Sequence, residues 1–134
     1  MGISEDILGA RILIVDDLEP NVKLLECMLA AGGYTAVEST MDPRQVYELY
    51  KRNRYDLILL DLSMPYMNGF EVMEALKPIE MGGYLPVLVI TAEPSHKLNA
   101  LKAGAKDFIS KPFDHIEVMT RISNMLEIRL LHKR

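Results

Sequence analysis

Five polar side chains stand at the ends of apolar runs in the sequence and could perform chemistry together. The runs are followed by Asp16 and Asp17, by Asp61, by Thr91 and by Lys111. Carboxylate oxygens are the ligands that a hard divalent cation such as Mg²⁺ prefers, and a carboxylate can also accept a phosphoryl group covalently. These residue types therefore indicate Mg²⁺-dependent phosphoryl transfer, provided that the fold brings them together.

Each of these side chains has a distinct part in such chemistry. Asp61 is the candidate nucleophile, while the cation and Lys111 would offset the charge of about −1.5 to −2 that a phosphoryl group adds. The Thr91 hydroxyl would donate a hydrogen bond to a phosphoryl oxygen. Two carboxylates about 5 Å apart repel each other by roughly 3 kcal/mol at an effective dielectric constant of about 20. A purely structural role would not gather three of them, although a single aspartate after a strand is more usually a turn residue or a helix N-cap.

Five short apolar runs predict the strands that would position these side chains. They lie at 11–15, 34–38, 56–60, 86–90 and 107–110. Segments with helical spacing lie between them, and a fifth helix begins at about Asp114. This alternation predicts an α/β fold, a doubly wound (βα)5 arrangement in which a five-stranded parallel sheet has helices on both faces. Ligands of such sheets bind beyond the carboxyl ends of the strands, where the polar side chains stand.

Length and composition fit one domain. The chain has 134 residues, of which 49% are apolar and 25% charged, as in ordinary globular domains. We expect a single domain over 1–134 with a core at about 11–126. Cys27 is the only cysteine, and because it cannot form an internal disulfide, it favours a cytoplasmic location. The net charge of −4 and the lack of an apolar stretch of about 20 residues argue against nucleic-acid binding and a membrane span.

Four segments resemble the motifs of the response-regulator receiver domains of two-component signalling, in the same order along the chain. They are 13–17 (LIVDD), 59–69 (LLDLSMPYMNG), 89–92 (VITA) and 108–113 (FISKPF). The resemblance, to chemotaxis-regulator-like receivers, implies a flavodoxin-like sheet with strand order 2-1-3-4-5. It also implies that Asp61 accepts a phosphoryl group from the phosphohistidine of a sensor histidine kinase or phosphotransfer protein. The chain would then be a signalling module that catalyses only its own phosphorylation and dephosphorylation.

The same resemblance implies further residue roles. Asp17, Asp61 and the main-chain carbonyl of Ser63 would bind Mg²⁺ directly, while Asp16 would hold a metal-bound water. Thr91 and Phe108 would form a switch pair that changes the face made by the fourth predicted helix, the fifth strand and the fifth helix. A cis peptide bond would precede Pro112, and Ser63 and Glu93 would tune the rate of dephosphorylation.

The last predicted helix is long and carries an apolar stripe at Ile116, Met119, Ile122, Leu126 and Leu130. Three interpretations stay open. The helix is part of a homodimer interface on the face just described, or residues 127–134 are a linker to a fused or separate output domain, or this is an ordinary fifth helix with a frayed basic tail. Residues 121–131 bear a weaker resemblance to the linker helix of receivers fused to HD-GYP cyclic-dinucleotide phosphodiesterases, so the chain could be the N-terminal receiver of a larger regulator.

Two other functions share parts of this pattern. A Mg²⁺-dependent phosphohydrolase of the haloacid-dehalogenase kind also forms an aspartyl-phosphate, but it needs Asp-x-Asp after its first strand, where this chain has adjacent aspartates. A pseudo-receiver docks partners without phosphorylation, but such domains typically lack one of the site residues, and none is missing here. The sequence therefore favours the phosphoaccepting receiver.

Overall fold

The computed structural model describes residues 5–62, 64, 67–79, 86–92, 94–112 and 114–133. In these ranges five parallel strands form one sheet in the order β2-β1-β3-β4-β5. The strands are β1 (Arg11–Val15), β2 (Ala36–Thr40), β3 (Leu57–Asp61), β4 (Val87–Thr91) and β5 (Asp107–Ser110). The predicted α/β class and strand order 2-1-3-4-5 are confirmed.

Three strands begin later than the sequence suggested. β2 begins two residues later because the two preceding residues bond elsewhere: the Tyr34 amide donates to the Leu29 carbonyl, and the Thr35 amide donates to the Leu8 carbonyl. β3 and β4 each begin one residue later and end one residue later. As a consequence, Asp61 and Thr91 are the last residues of their strands rather than the first residues after them.

The α-helices of the described residues connect and flank these strands. They are α1 (Glu5–Leu8), α2 (Glu19–Ala31), α3 (Val46–Asn53), α4 (Gly69–Leu76), α5 (Lys97–Lys102) and α6 (His115–Lys133). The five predicted helices correspond to α2 through α6. Helix α1 was not predicted, because four residues are too few to show a helical period. None of the described helices is long and apolar enough to span a membrane.

Two separate apolar layers hold the sheet, one on each face. The layer with α1, α2 and α6 packs against strand residues such as Ile12, Leu59 and Ile90. The layer with α3, α4 and α5 packs against their strand neighbours, such as Leu13 and Leu60. β3 and β4 are buried along their whole length, as expected for strands that are covered on both sides.

Helix α4 begins with a capping box. The Asn68 side chain accepts a hydrogen bond from the Glu71 amide at 3.0 Å, and the Glu71 carboxylate accepts one from the Asn68 amide at 3.0 Å. These two bonds satisfy amides that have no partner within the helix. They therefore fix where α4 starts, a few residues after Asp61.

Substitution of Asn68 by alanine is expected to lower the free energy of unfolding by about 1 kcal/mol, because the Glu71 amide loses its acceptor. Urea denaturation followed by circular dichroism measures this change. Glu74→Ala is the matched control, since Glu74 lies in the same helix and forms an exposed ion pair with Lys77 that contributes about 0.5 kcal/mol or less. Equal losses in the two variants would contradict a stabilising role for the cap.

Candidate functional site

The sheet places Asp16, Asp61, Thr91 and Lys111 along one edge. Val15 pairs with Leu60 in the register between β1 and β3, so that Asp16 and Asp61 follow at the same level. On the other side, Thr91 pairs with Ser110 between β4 and β5, and Lys111 follows Ser110 directly. Neighbouring strands lie about 4.8 Å apart, which brings these side chains within reach of one another.

Three carboxylates form a cluster at this edge. One oxygen from each of Asp16, Asp17 and Asp61 lies within 4.8 Å of the others. Asp16 and Asp61 are buried, with 3% and 6% of their surface exposed, respectively, while Asp17 is half-buried. Like charges at this separation repel, and burial strengthens the repulsion because water screens it less.

Lys111 contacts the cluster from β5. Its ammonium nitrogen lies 3.4 Å from Oδ2 of Asp16 and 3.9 Å from Oδ2 of Asp61. The other oxygen of Asp16, Oδ1, accepts a hydrogen bond from the Leu18 amide at 3.0 Å. Among the described residues at this edge, three carboxylates against one ammonium leave a formal charge of −2. An oxygen-only donor set with this charge fits a hard divalent cation such as Mg²⁺.

Thr91 lies at the end of β4, next to the strand that carries Asp61, and Phe108 lies in β5, the next strand outward. Thr91 is fully buried at the end of β4, and its carbonyl accepts a hydrogen bond of 2.7 Å from the Lys111 amide. Phe108 is 6% exposed and belongs to the apolar layer with α3, α4 and α5. Phe108 can belong to the core and still take part in the predicted switch, because a ring that changes position is packed before it moves.

The remaining predictions for the site concern the peptide bond before Pro112 and the residues Ser63 and Glu93. The peptide bond between Lys111 and Pro112 is cis, the form that the resemblance implies. Ser63 and Glu93 lie outside the described residues, so their predicted roles in metal binding and dephosphorylation stay predictions.

Gly69 ends the second receiver-like segment, 59–69, but the sequence reasoning gave it no role at the site. Gly69, the first residue of α4, lies so close to the end of β3 that a Cβ atom placed on it would be 2.8 Å from the Asp61 carbonyl oxygen. Its amide donates a hydrogen bond to the Leu62 carbonyl at 3.0 Å. The spacing of Asn68 and Glu71 could have located the helix start, but the sequence carries no signal for this tertiary contact.

Comparison with known proteins identifies the family. A family model described as "Response regulator receiver domain" matches residues 12–123. The chain belongs to this family. The receiver domain is 38% identical over 126 residues to the response regulator PleD of Caulobacter vibrioides, an alignment that covers 92% of this chain and 28% of PleD. It is 30% identical to the chemotaxis protein CheY of Thermotoga maritima, covering 88% of this chain and 98% of that protein.

A solved structure agrees with the fold and carries a metal. The receiver domain of the sensor histidine kinase PA1611 from Pseudomonas aeruginosa superposes with a TM-score of 0.80 at 30% identity, covering 89% of this chain and 98% of that one. In that crystal structure a magnesium ion is coordinated in the active-site cleft. The receiver domain described here presents a cluster of acidic residues.

Membership in the family settles the general function. The chain is a phosphoaccepting receiver domain of two-component signalling, and the phosphohydrolase and pseudo-receiver alternatives are not favoured. Receiver domains are typically signalling modules rather than catalysts. The chain spans only about a quarter of the length of PleD, one of the relatives it matches.

Proposed function

We propose that Asp61 accepts a phosphoryl group from the phosphohistidine of a sensor histidine kinase or phosphotransfer protein, in a reaction that requires Mg²⁺. The observation that carries this proposal is the cluster of Asp16, Asp17 and Asp61 with Lys111 in contact. A carboxylate beside a positive group is a suitable acceptor, because the positive charge offsets the charge that the phosphoryl group adds.

In the proposed transfer, an Asp61 carboxylate oxygen forms a bond to phosphorus while the phosphorus–nitrogen bond of the phosphohistidine breaks. The bonding electron pair returns to the imidazole of the donor. Lys111 lies 3.9 Å from Asp61 and would pair with the added negative charge. The Thr91 hydroxyl, at the end of the adjacent strand β4, would donate a hydrogen bond to a phosphoryl oxygen.

Asp16, Asp17, Asp61 and the carbonyl of Ser63 would hold the Mg²⁺ ion. The bound ion would supply positive charge beside the transferring phosphoryl oxygens. The protein's own part is to fix the carboxylates, and the sheet does this through two adjacent strands. The hydrogen bond from the Leu18 amide to Asp16 orients one of these carboxylates.

The proposed phosphorylation would act on the surface formed by α5, β5 and α6 through Thr91 and Phe108. The large apolar side chains that this surface exposes include Leu98, Leu101 and Ile116, at 62%, 39% and 72%, respectively. Such side chains support a role in binding another protein. We propose a homodimer or an output domain as the occupant, with Ser63 and Glu93 tuning how long the phosphoryl group persists.

The proposal for the whole protein is broader. Residues 1–134 would form one receiver domain with its core at about 11–126, and residues 127–134 would link it to an output domain, in keeping with the greater length of PleD. The domain would catalyse only its own phosphorylation and dephosphorylation. We place it in the cytoplasm, since its only cysteine, Cys27, cannot form an internal disulfide.

The test is incubation with acetyl phosphate and Mg²⁺, followed by intact-protein mass spectrometry. We expect a gain of one phosphoryl group that is stable in acid and labile in base, as for an acyl phosphate. Addition of EDTA in excess of Mg²⁺ should prevent the gain, and restoring Mg²⁺ should restore it. Uptake that is unchanged by EDTA would contradict the metal requirement, and a base-stable adduct would contradict an aspartyl-phosphate.

A further inference from the structure

The amino edge of the sheet, opposite the acidic cluster, carries two segments that lie outside the family match. The match covers residues 12–123, whereas helix α1 ends at Leu8 and helix α6 continues to Lys133. Helices α1 and α6 pack against each other, and α6 also packs against β3. Contacts made by helices that reach beyond the family match therefore extend the receiver fold at this edge.

Helix α1 is anchored by its apolar side chains. Ile7 is 6% exposed and lies in the same apolar layer as α2 and α6, with Leu8 packed against that layer. The Leu8 methyl groups lie 3.5 Å from where a Cβ of Gly33 would be, and the Leu8 carbonyl accepts a hydrogen bond of 3.2 Å from the Thr35 amide. A helix of only four residues is held here by packing and these loop contacts rather than by its own hydrogen bonds.

An arginine continues the buried stripe of α6. Val118, Ile122 and Met125 are buried at helical spacing, and Arg129 follows one turn later on the same stripe. Its side chain is only 12% exposed, and Nε lies 3.5 Å from Oδ1 of Asp56, whose side chain is 5% exposed. At 3.5 Å the contact is an ion pair without a hydrogen bond from Nε, and the facing anion stabilises this largely buried cation.

Asp56 ties this contact to the sheet. It stands immediately before β3, and its Oδ2 accepts a hydrogen bond of 3.0 Å from the amide of Arg11, the first residue of β1. Asp56 thus joins the amino ends of two central strands and presents its other oxygen to α6. The strand that ends at Asp61 begins beside this ion pair, roughly 17 Å away at about 3.3 Å per residue.

We propose that helix α1 and the Arg129–Asp56 ion pair form a basal clasp that fixes residues 124–131 of α6 on the amino edge of the sheet. The clasp sets the rotation of the helix, because Arg129 can reach Asp56 only when its side of the helix faces inward. The same rotation leaves Ile128 and Leu131 exposed, at 47% and 63%. The clasp is a conformational device distinct from the phosphoacceptor edge, and its proposal does not depend on the chemistry of Asp61.

The test is hydrogen exchange of the full chain, measured by mass spectrometry. In Arg129→Met the Asp56 carboxylate is left buried without this partner, and exchange of amides 125–130 is expected to rise about tenfold or more, because this segment opens locally. Glu127→Gln, on the exposed side of the same turn, should change exchange less than about twofold. Phosphoryl uptake from acetyl phosphate should equal that of the unmodified chain in both variants.

Two further variants keep the proposal testable if Arg129→Met folds poorly. Ile7→Ala should loosen the same amides, since it removes the apolar anchor of α1. The double variant Asp56→Asn/Arg129→Met should be more protected than Arg129→Met alone, because it no longer buries a carboxylate that has lost its ion pair with Arg129. The proposal is overturned if amides 125–130 exchange at the same rate in Arg129→Met and Glu127→Gln. It is also overturned if the exchange rate rises equally in β4 and α6, which would indicate general destabilisation.

Discussion

Asp61→Asn is expected to take up no phosphoryl group from acetyl phosphate under conditions in which the unmodified chain is fully labelled. The amide nitrogen and oxygen of asparagine cannot form the acyl phosphate, and the cluster also loses one of its three negative charges. Intact-protein mass spectrometry after incubation with Mg²⁺ measures the effect. The variant should be at least as stable to heat as the unmodified chain, because the repulsion of Asp61 with Asp16 and Asp17 is relieved.

The matched control for this substitution is Asp114→Asn. Asp114 follows the Lys111–Pro112 segment, is exposed, and accepts a hydrogen bond from the Ile116 amide, a role that asparagine also performs. We expect its labelling to be unchanged. If Asp61→Asn were still labelled, the acceptor would be another residue, and the proposed mechanism would be wrong.

Gly69→Ala is the second substitution with a large expected effect. An alanine Cβ at this position would lie 2.8 Å from the Asp61 carbonyl oxygen and 2.8 Å from the Leu62 Cα. Both are backbone atoms, which cannot rotate away as a side chain can. Relief of the contact requires α4 to move away from β3, at a cost of about 1–3 kcal/mol. Intrinsic helix propensity alone predicts that this substitution stabilises the protein, since alanine is favoured over glycine by about 1 kcal/mol within a helix.

Urea denaturation and the initial rate of labelling by acetyl phosphate together measure this effect. We expect Gly69→Ala to lower both the free energy of unfolding and the labelling rate, because the displaced backbone carries Asp61. Gly32→Ala is a suitable control: its Cβ would meet the terminal methyl carbon of Met119 at 2.7 Å, and a flexible methionine can turn aside. A loss at Gly69 no greater than at Gly32 would show that α4 can shift freely.

The central strands were predictable because their sequences are uniformly apolar. Runs such as 57–60 are apolar at every position, which only strands covered on both faces tolerate. The edge strand β2 is half-exposed and reads AVEST, so its start depends on bonds from Tyr34 and Thr35 to distant carbonyls rather than on pattern. The start of a strand is set by hydrogen bonds that composition does not reveal.

The acidic site was predictable for a topological reason. Parallel strands bring their carboxyl ends together, so residues far apart in sequence, such as Asp16 and Lys111, could be assigned to one place. No topological rule of this kind predicts the contacts between Gly69 and Asp61 or between Arg129 and Asp56. They depend on how helices seat against the sheet, which is decided by packing across the whole layer.

The two apolar layers have a consequence for how the sequence can change over time. Leu29 lies in one layer and Leu76 in the other, and the hydrogen-bonded sheet stands between them. A change in side-chain volume at one is absorbed by helices on its own side, since distant sites without shared partners act nearly additively. Core side chains in one layer can therefore be substituted without a matching substitution in the other layer. Natural variants of this domain can repack the two layers independently.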